Sequence, residues 1–244
     1  MENNVKLILS YDGTNFFGYQ EAEAGPTIEN QLSIALERIF QTPVKFDGCS
    51  RTDRGVHAHG QVVNFFLPKP LPIYSLVRAL NSHLPKQIRI IHGEMVETKF
   101  HATLSAKAKT YRYTIDNGPV PSPFLRTTAW HIHLPLDLSL MRQACPYLIG
   151  KQDFAAFAAE GHHEETVRNV LSITLEKKDH VIIVMIKGES FLYRMVRGIV
   201  GTLVYVGLGK FTPEECKKIV ESRDRSQAGP SAPAHGLTLY HVDY

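Results

Sequence analysis

The order of strand-like and helix-like segments in the first part of the chain most constrains how it can fold. Short apolar or alternating segments predict strands, and two longer segments with apolar residues at helical spacing predict helices. The predicted strands are residues 5–11, 44–48, 61–67 and 88–91. The predicted helices are residues 27–40, after the first strand, and 73–84, after the third. This β-α-β-β-α-β order is typical of a ferredoxin-like unit, an antiparallel sheet with both helices on one face.

The remainder of the chain predicts a second unit of similar kind. Strands are predicted at residues 110–115, 171–176 and 181–187, and helices at 138–148, 191–207 and 212–222. We therefore expect an α+β protein with two ferredoxin-like or RRM-like halves, residues 1–105 and 106–244, each with an antiparallel sheet.

The predicted helix 191–207 is apolar on most of its surface. Gly198 and Gly201 lie three residues apart, which would let this helix approach a sheet closely. Arg194 and Arg197 interrupt the apolar run, so a membrane span is not expected. A buried arginine needs a partner.

The charge of the chain is mildly basic and unevenly distributed. It carries 27 Lys and Arg against 24 Asp and Glu, a net charge of +3, and residues 106–244 hold 17 and 14 of these. Basic residues alternate with aromatic ones in segments 99–115 and 190–213. This pattern favours contact with RNA or DNA, although a solvated basic face is the simpler alternative.

Cysteine usage and the N-terminal segment bear on the cellular compartment. The chain has three cysteines and no CxxC pair, which favours neither a disulfide framework nor a cysteine-rich zinc site. Its first twenty residues contain no secretory apolar core, so we expect a cytoplasmic protein.

The most unusual segment is residues 48–60, GCSRTDRGVHAHG, in which a single acid lies between two arginines. Asp53 is flanked by Arg51 and Arg54, and basic neighbours keep a carboxylate ionised. An ionised and fixed carboxylate can act as a nucleophile or a base. A surface turn with a local arginine–aspartate pair is the alternative interpretation.

Other patterns that could carry chemistry are weaker. Histidine pairs that could ligate a metal lie outside the usual metal-binding motifs; they are His57 and His59, His131 and His133, and His162 and His163. The chain has no Walker A sequence, no GxGxxG after a strand and no GxSxG. Tyr111, on a predicted strand, could either pack in the core or stack on a base, and Asp53 is a possible partner for Arg197.

At residues 50–65, SRTDRGVHAHGQVVNF, the chain closely resembles the tRNA pseudouridine synthases of the TruA type, whose motif reads approximately GRTDAGVHATGQVVHF. The resemblance extends along the whole chain in the same order and spacing. Further similar segments are YDGTNFFGYQ, ALNSHLP, FHATLSAKAKTYRYTIDNG, DFAAFAAEG with VRNV, SFLYRMVRGIVGTLVYVGLGK and AGPSAPAHGLTLYHVDY.

This resemblance implies an isomerase that detaches uracil from a tRNA ribose and reattaches it through C5. The implied substrate is the anticodon stem-loop, at tRNA positions 38, 39 and 40. The family fold implies two α+β halves flanking a central basic active-site cleft, in a homodimer. No metal or organic cofactor and no membrane partner are implied.

The resemblance also implies roles for individual residues. Asp53 would be the nucleophile, attacking C1′ of ribose or C6 of uracil, or abstracting a proton at C2′. Arg197 would orient Asp53 and keep it charged, and Tyr111 would stack on the base and could accept the C5 proton. The remaining implied substrate contacts are Arg51, beside the flipped nucleotide, Leu192 or Val196, lining the pocket, and Lys107, Lys109 and Arg112, on phosphates.

Two departures from the family motif lie beside the aspartate. Ser50 replaces the usual glycine and Arg54 replaces the usual alanine, and residues 160–166 also diverge. Arg54 leaves open a non-catalytic RNA-binding protein of the same fold as an alternative. A metal-dependent nuclease is a third possibility, but it would need a cluster of acids beside Asp53.

Overall fold

The computed structural model describes residues 3–20, 24–159 and 165–244. Within these residues the secondary structure is mixed α and β, which confirms the predicted α+β class. The strands are β1 Asn4–Tyr11, β2 Asp47–Gly48, β3 His57–Phe66, β4 Ile88–Val96, β5 Ala108–Asp116, β6 Trp130–His131, β7 Gly150–Asp153, β8 Val167–Lys178, β9 Val181–Gly188 and β10 Leu237–Asp243. The α-helices are α1 Ile28–Phe40, α2 Ile73–His83, α3 Leu138–Ala144, α4 Met195–Gly207 and α5 Glu215–Ser222.

The chain divides into two compact units. Unit 1 comprises residues 1–107 together with 238–244, and unit 2 comprises residues 108–237. The sequence predicts a second domain of residues 106–244. In the structure, residues 238–244, which form most of the last strand, belong to unit 1 instead. None of the helices in the described parts of the chain is long and apolar enough to cross a membrane.

Unit 1 has the β-α-β-β-α-β order predicted from sequence. Strand β1 pairs antiparallel with both β3 and β4, and β2 pairs antiparallel with β3, so the sheet order is β4-β1-β3-β2. Strand β10 adds a short parallel pairing to β3, at His57 and Ala58. Helix α1 begins after Thr27, whose hydroxyl accepts a hydrogen bond from the Asn30 backbone N–H and so caps the helix.

The core of unit 1 lies between the sheet and its helices. Alternate residues of β1 are buried, as expected for a strand with one face in a core. Gly93 in β4 leaves space for Ile73 and Val77 of α2 and for Leu7 of β1, because a Cβ at Gly93 would lie 3.0 Å from each. Helix α2 therefore packs directly on β1 and β4.

Unit 2 is built on the antiparallel order β7-β8-β9-β5, with the short β6 parallel to the end of β5. The predicted hairpin of β8 and β9 is confirmed, and its turn contains Asp179 in the left-handed conformation. Helix α4 is buried along most of its length, as its apolar sequence indicates.

Several predicted boundaries of strands and helices are wrong, and the structure shows the reason for each. Strand β3 begins at His57, inside the predicted turn-rich stretch, because Ala58 already pairs with Tyr11 of β1. The predicted helix 138–148 ends at Ala144 and continues as a 3-10 turn that includes Pro146, which has no N–H for an α-helical bond.

The boundaries of three other predicted elements also differ. The strand predicted at 44–48 is reduced to β2, and the helix predicted at 212–222 begins at Glu215. Helix α4 begins at Met195 rather than residue 191, because Arg194 before it has a left-handed backbone with φ of 61°.

Candidate active site

Asp53 lies on the loop of unit 1 that joins β2 to β3. Its side chain is half-buried, whereas Arg51 and Arg54 on either side are exposed and Thr52 is buried. The loop therefore presents one carboxylate between two solvent-facing guanidinium groups.

Thr52 anchors the loop beside this carboxylate. Its hydroxyl shares a 2.8 Å hydrogen bond with the hydroxyl of Tyr11, at the end of β1. Its carbonyl oxygen accepts a 3.0 Å hydrogen bond from the backbone N–H of Tyr19. The hydroxyl and the carbonyl of the residue preceding Asp53 are thus held by the last residue of β1 and by the segment that follows it.

Two glycines of that segment allow it to lie directly against the loop. A Cβ on Gly18, which has a φ of 102°, would lie 2.8 Å from the Thr52 carbonyl oxygen. A Cβ on Gly13 would lie 2.0 Å from the Val56 carbonyl oxygen. A side chain at either position would push the loop away, so the close approach depends on glycine.

The two ends of the loop are fixed as well. The amide of Gln61, which is fully buried in β3, bonds both the N–H and the carbonyl of Ser50. The Val56 N–H donates to the Asp53 carbonyl oxygen at 3.0 Å and closes a turn around the candidate nucleophile. The backbone on both sides of Asp53 is therefore pre-organised, which a catalytic carboxylate requires.

His57 and Asp12 form a polar pair next to this turn. The Gly13 N–H donates to His57 Nδ1 at 3.1 Å, and the same nitrogen lies 3.2 Å from Asp12 Oδ1. Burial raises the pKa of Asp12, but hydrogen bonds from the Thr14 hydroxyl and N–H outweigh this and lower the pKa below its ordinary value. The carboxylate of Asp12 is therefore held in its ionised form.

Tyr111 lies on β5 of unit 2, opposite Ile186 of β9. The ring is buried and meets Phe191 edge-on, with 5.3 Å between the ring centres. Since side chains alternate along a strand, Lys109 shares the face of Tyr111 and Arg112 projects from the opposite face.

Arg197 lies on α4 of unit 2 and is half-buried. Its Nε donates to the Ala232 carbonyl oxygen at 2.7 Å, and the Ala232 N–H donates back to the Arg197 carbonyl oxygen at 3.0 Å. The first bond restrains the guanidinium group, and the second holds the backbone of Arg197 against the same residue. Burial raises the pKa of the neighbouring Tyr113, and the positive charge of Arg197 only partly opposes this.

The other predicted substrate contacts occupy different environments. Leu192 and Val196 are buried in unit 2. Lys107 is exposed and belongs to unit 1, where it is the last residue before the chain enters unit 2. The structure thus brings Asp53, Arg51 and Arg54 together on one loop. It brings Tyr111 and Lys109 together on one strand face of unit 2.

Comparison with known proteins decides the family. A family model described as tRNA pseudouridine synthase matches residues 7–103 and 144–244. The chain belongs to this family. The resemblance noted from the sequence and the expected isomerase class are confirmed.

Relatives of this tRNA pseudouridine synthase cover its full length. The tRNA pseudouridine synthase A 2 of Protochlamydia amoebophila (strain UWE25) is 44% identical over 246 residues, which are 99% of this chain and 94% of that protein. The tRNA pseudouridine synthase A of Thermoanaerobacter sp. (strain X514) is 43% identical over 242 residues, which are 99% of each. A crystal structure of a Cbf5-Nop10-Gar1 complex aligns with a TM-score of 0.37 and 13% identity, over 83% of this chain and 44% of that one.

The residues that position the loop of this synthase were not identified as functional from sequence. Tyr11, Gly13, Gly18 and Tyr19 all lie in the segment YDGTNFFGYQ, which was noted only as a resemblance. Gln61 could have been found as a polar residue inside an apolar strand, since a buried amide must be hydrogen-bonded.

Most of the described histidines of the predicted metal-binding pairs make other contacts. Among the described residues, no group of three or more His, Cys, Asp or Glu side chains could hold a metal ion. His131 Nε2 lies within hydrogen-bond distance of the Gly118 carbonyl oxygen, and the ring of His59 packs on Tyr240. His162 and His163 lie outside the described residues, as does most of the divergent segment 160–166.

Proposed function

We propose that this protein converts uridine to pseudouridine at positions 38, 39 and 40 of the tRNA anticodon stem-loop, with Asp53 as the nucleophile. The observation that carries this proposal is the fixed backbone around Asp53, held at Ser50, Thr52 and Val56 by buried groups of unit 1. A carboxylate on such a loop needs little reorganisation to reach the transition state.

The reaction breaks the bond between C1′ and N1, turns the uracil and forms a bond between C1′ and C5. C5 then loses its proton, which exchanges with solvent, and N1, freed from the ribose, takes up a proton, so that the product is an isomer of the substrate. Asp53 attacks C1′ or C6, or removes a proton from C2′, and all three routes require an ionised carboxylate at a fixed position. The target nucleotide leaves its stack first, and Arg51, which is exposed, occupies the gap.

Residues of unit 2 complete the proposal. Tyr111 stacks on the uracil and accepts the C5 proton, with Leu192 as an apolar neighbour of the base. Arg197 supplies the positive charge that keeps Asp53 ionised and oriented, and the hydrogen bond from its Nε to Ala232, which restrains the guanidinium group, supports that role. Lys107 and Lys109 bind phosphates; Arg112, on the opposite strand face, is assigned the same role. The enzyme acts in the cytoplasm as a homodimer.

The deciding experiment measures tritium release from tRNA transcripts labelled at C5 of uridine. We expect release by the wild type and a loss of more than about 1,000-fold in Asp53→Asn, because removal of a nucleophile abolishes the covalent route. Binding of tRNA by Asp53→Asn should survive, since the amide keeps the size of the side chain.

Asp47→Asn, the same change at an exposed residue of β2, is the matched control and should retain activity. Normal release by Asp53→Asn would contradict the assignment of the nucleophile. Absence of release by a wild-type protein that binds tRNA would favour the non-catalytic RNA-binding alternative, for which Arg54 beside the carboxylate is the supporting observation.

A further inference from the structure

Arg54, the departure from the family motif next to Asp53, lies on an aromatic platform. Its guanidinium carbon is 4.2 Å from the centre of the Phe17 ring. The ring itself is backed by Gly25, where a Cβ would lie 2.6 Å from two ring carbons. A cation over an aromatic face at this distance is attracted to it, so Phe17 restricts where the guanidinium can go.

The two residues of this contact belong to segments that are fixed to each other. Gly18, next to Phe17, lies against the backbone of the loop. A Cβ on Gly18 would lie 3.3 Å from the backbone nitrogen of Arg54. The Phe17 N–H donates to the Pro26 carbonyl oxygen at 2.9 Å. The charge of Arg54 is therefore pre-organised, although the side chain is exposed.

The contact with Phe17 is made to an aromatic ring and not to an oxygen, so the N–H donors of the guanidinium remain available to an anion. These donors form a planar fork that matches phosphate and carboxylate oxygens. Within residues 3–20, 24–159 and 165–244, the structure shows no ion pair between Arg54 and a carboxylate. An exposed, oriented fork of this kind is suited to an anion brought by a partner.

We propose that Arg54 binds a backbone phosphate of the substrate RNA beside the nucleotide that reacts at Asp53. The inference rests on the proposed function, because the RNA strand that delivers a uridine to Asp53 necessarily brings phosphates to the adjacent residue. Arg54 stands where the family motif has alanine, so this phosphate contact is an addition in this chain.

The test measures tRNA affinity over a series of monovalent salt concentrations. Each phosphate contact contributes to the slope of log K against log salt, so Arg54→Ala should reduce that slope by roughly 0.7–0.9. At low salt we expect the affinity to fall by roughly 3–10-fold. In the tritium-release assay, KM should change more than kcat.

Three further variants separate charge, stacking and location. Arg54→Lys should keep most of the slope but lose affinity, because an ammonium lacks the planar fork. Phe17→Leu keeps the charge and should weaken binding with little change of slope. Arg78→Ala removes an exposed arginine that lies 5.5 Å over Tyr74 on α2, and should match the wild type.

The outcomes are distinct from those for the proposed function. An unchanged slope in Arg54→Ala, or an equal reduction in Arg78→Ala, would overturn the assignment. A loss of kcat in Arg54→Ala at unchanged slope would also overturn it, since Arg54 would then act on Asp53. If the wild type released no tritium while Arg54→Ala still reduced the slope, the proposed function would fail and the phosphate contact would stand.

Discussion

Thr52 illustrates how a single buried residue determines the geometry of the candidate active-site loop. Its hydroxyl is hydrogen-bonded to Tyr11 at the end of β1 and its carbonyl to Tyr19 in the segment after β1, while Asp53 beside it stays half-exposed. Breaking either bond would leave a buried polar group unsatisfied, which costs about 1–3 kcal/mol. The carboxylate can therefore face a substrate while its backbone stays in place.

Asp12 gives this region a predictable response to pH. Its pKa in the folded protein is lower than its ordinary value of 3.8, so its ionised form stabilises the fold. That contribution is complete above the unfolded pKa and is lost as the pH falls through the folded pKa. Asp12→Asn should lower the free energy of unfolding by less than about 1 kcal/mol near neutral pH, and the difference from wild type should shrink below pH 3.8.

Urea unfolding at a series of pH values measures this difference. Asp179→Asn is the matched control, because Asp179 lies in the exposed turn between β8 and β9 and asparagine tolerates its left-handed backbone. A difference for Asp12→Asn that stays constant with pH would show that the carboxylate charge does not contribute.

Single residues also show where prediction from sequence ends. Asp53 could be singled out from sequence because it is an acid between two arginines, Arg51 and Arg54, in a short glycine-containing segment. The role of Tyr11 could not be predicted, because it bonds Thr52 across 41 positions of the sequence, a separation that only the folded β1–β3 pairing closes. Gln61 stands out in the sequence as a polar residue in an apolar strand, but the sequence does not identify Ser50, 11 positions earlier, as its partner.

Helix α4 shows how one element positions a candidate functional residue. Gly201 packs against the backbone at Pro230, and the Thr202 hydroxyl accepts a 3.0 Å hydrogen bond from the Gly229 N–H. Arg197, one turn earlier, bonds Ala232 of the same segment. The close docking of this segment on α4 thus determines the direction of the guanidinium group.

Gly201→Ala tests this docking. A Cβ there would lie 1.7 Å from the Pro230 carbonyl oxygen, so the helix or the segment must move. We expect the free energy of unfolding to fall by about 2 kcal/mol, because overpacking outweighs the helix propensity of alanine. Tritium release should fall as well, since the bond between Arg197 and Ala232 is displaced.

Gly207→Ala, on the same helix, is the matched control for this substitution. Its new Cβ would meet Met141 side-chain atoms at 2.8 and 2.9 Å, and a flexible methionine can move. Chemical denaturation should show a change below about 1 kcal/mol for Gly207→Ala. Equal destabilisation by both variants would contradict specific docking at Pro230.

Element prediction succeeded where the local pattern is strong and failed where a distant partner decides. The α1 helix and the β8–β9 hairpin follow from apolar spacing and turn residues. The close approach expected from Gly198 and Gly201 does occur, but against the backbones of Phe157 and Pro230 rather than a sheet. Glycine spacing reveals that a helix approaches something closely, and it does not reveal what.

At the scale of the whole molecule, the chain begins and ends in the same unit. Strand β10 pairs with β3, and the Lys107 N–H donates to the Asp243 carbonyl oxygen at 2.9 Å. Unit 2 is therefore inserted between residue 107 and residue 238. Sequence patterns alone give the order of elements, but they do not reveal that the last strand returns to the first unit.

The final residue supplies a test of this connectivity. The Tyr244 hydroxyl donates to the Ala102 carbonyl oxygen at 2.8 Å, and its ring packs on Phe100 and under the ammonium of Lys6. Burial raises the pKa of Tyr244, so the hydroxyl remains a donor at neutral pH. Tyr244→Phe should lower the stability of unit 1 by about 1 kcal/mol, because a partly buried hydrogen bond is lost while the ring is kept.

Hydrogen exchange resolved along the chain locates this effect. Amides of β3 and β4 should exchange about fivefold faster in Tyr244→Phe, whereas those of β8 and β9 should exchange as in the wild type. Tyr74→Phe, at a tyrosine that is 72% exposed on α2, should change neither set. Equal acceleration in both units would contradict this local effect, because a loss confined to Ala102 and its neighbours should open unit 1 first.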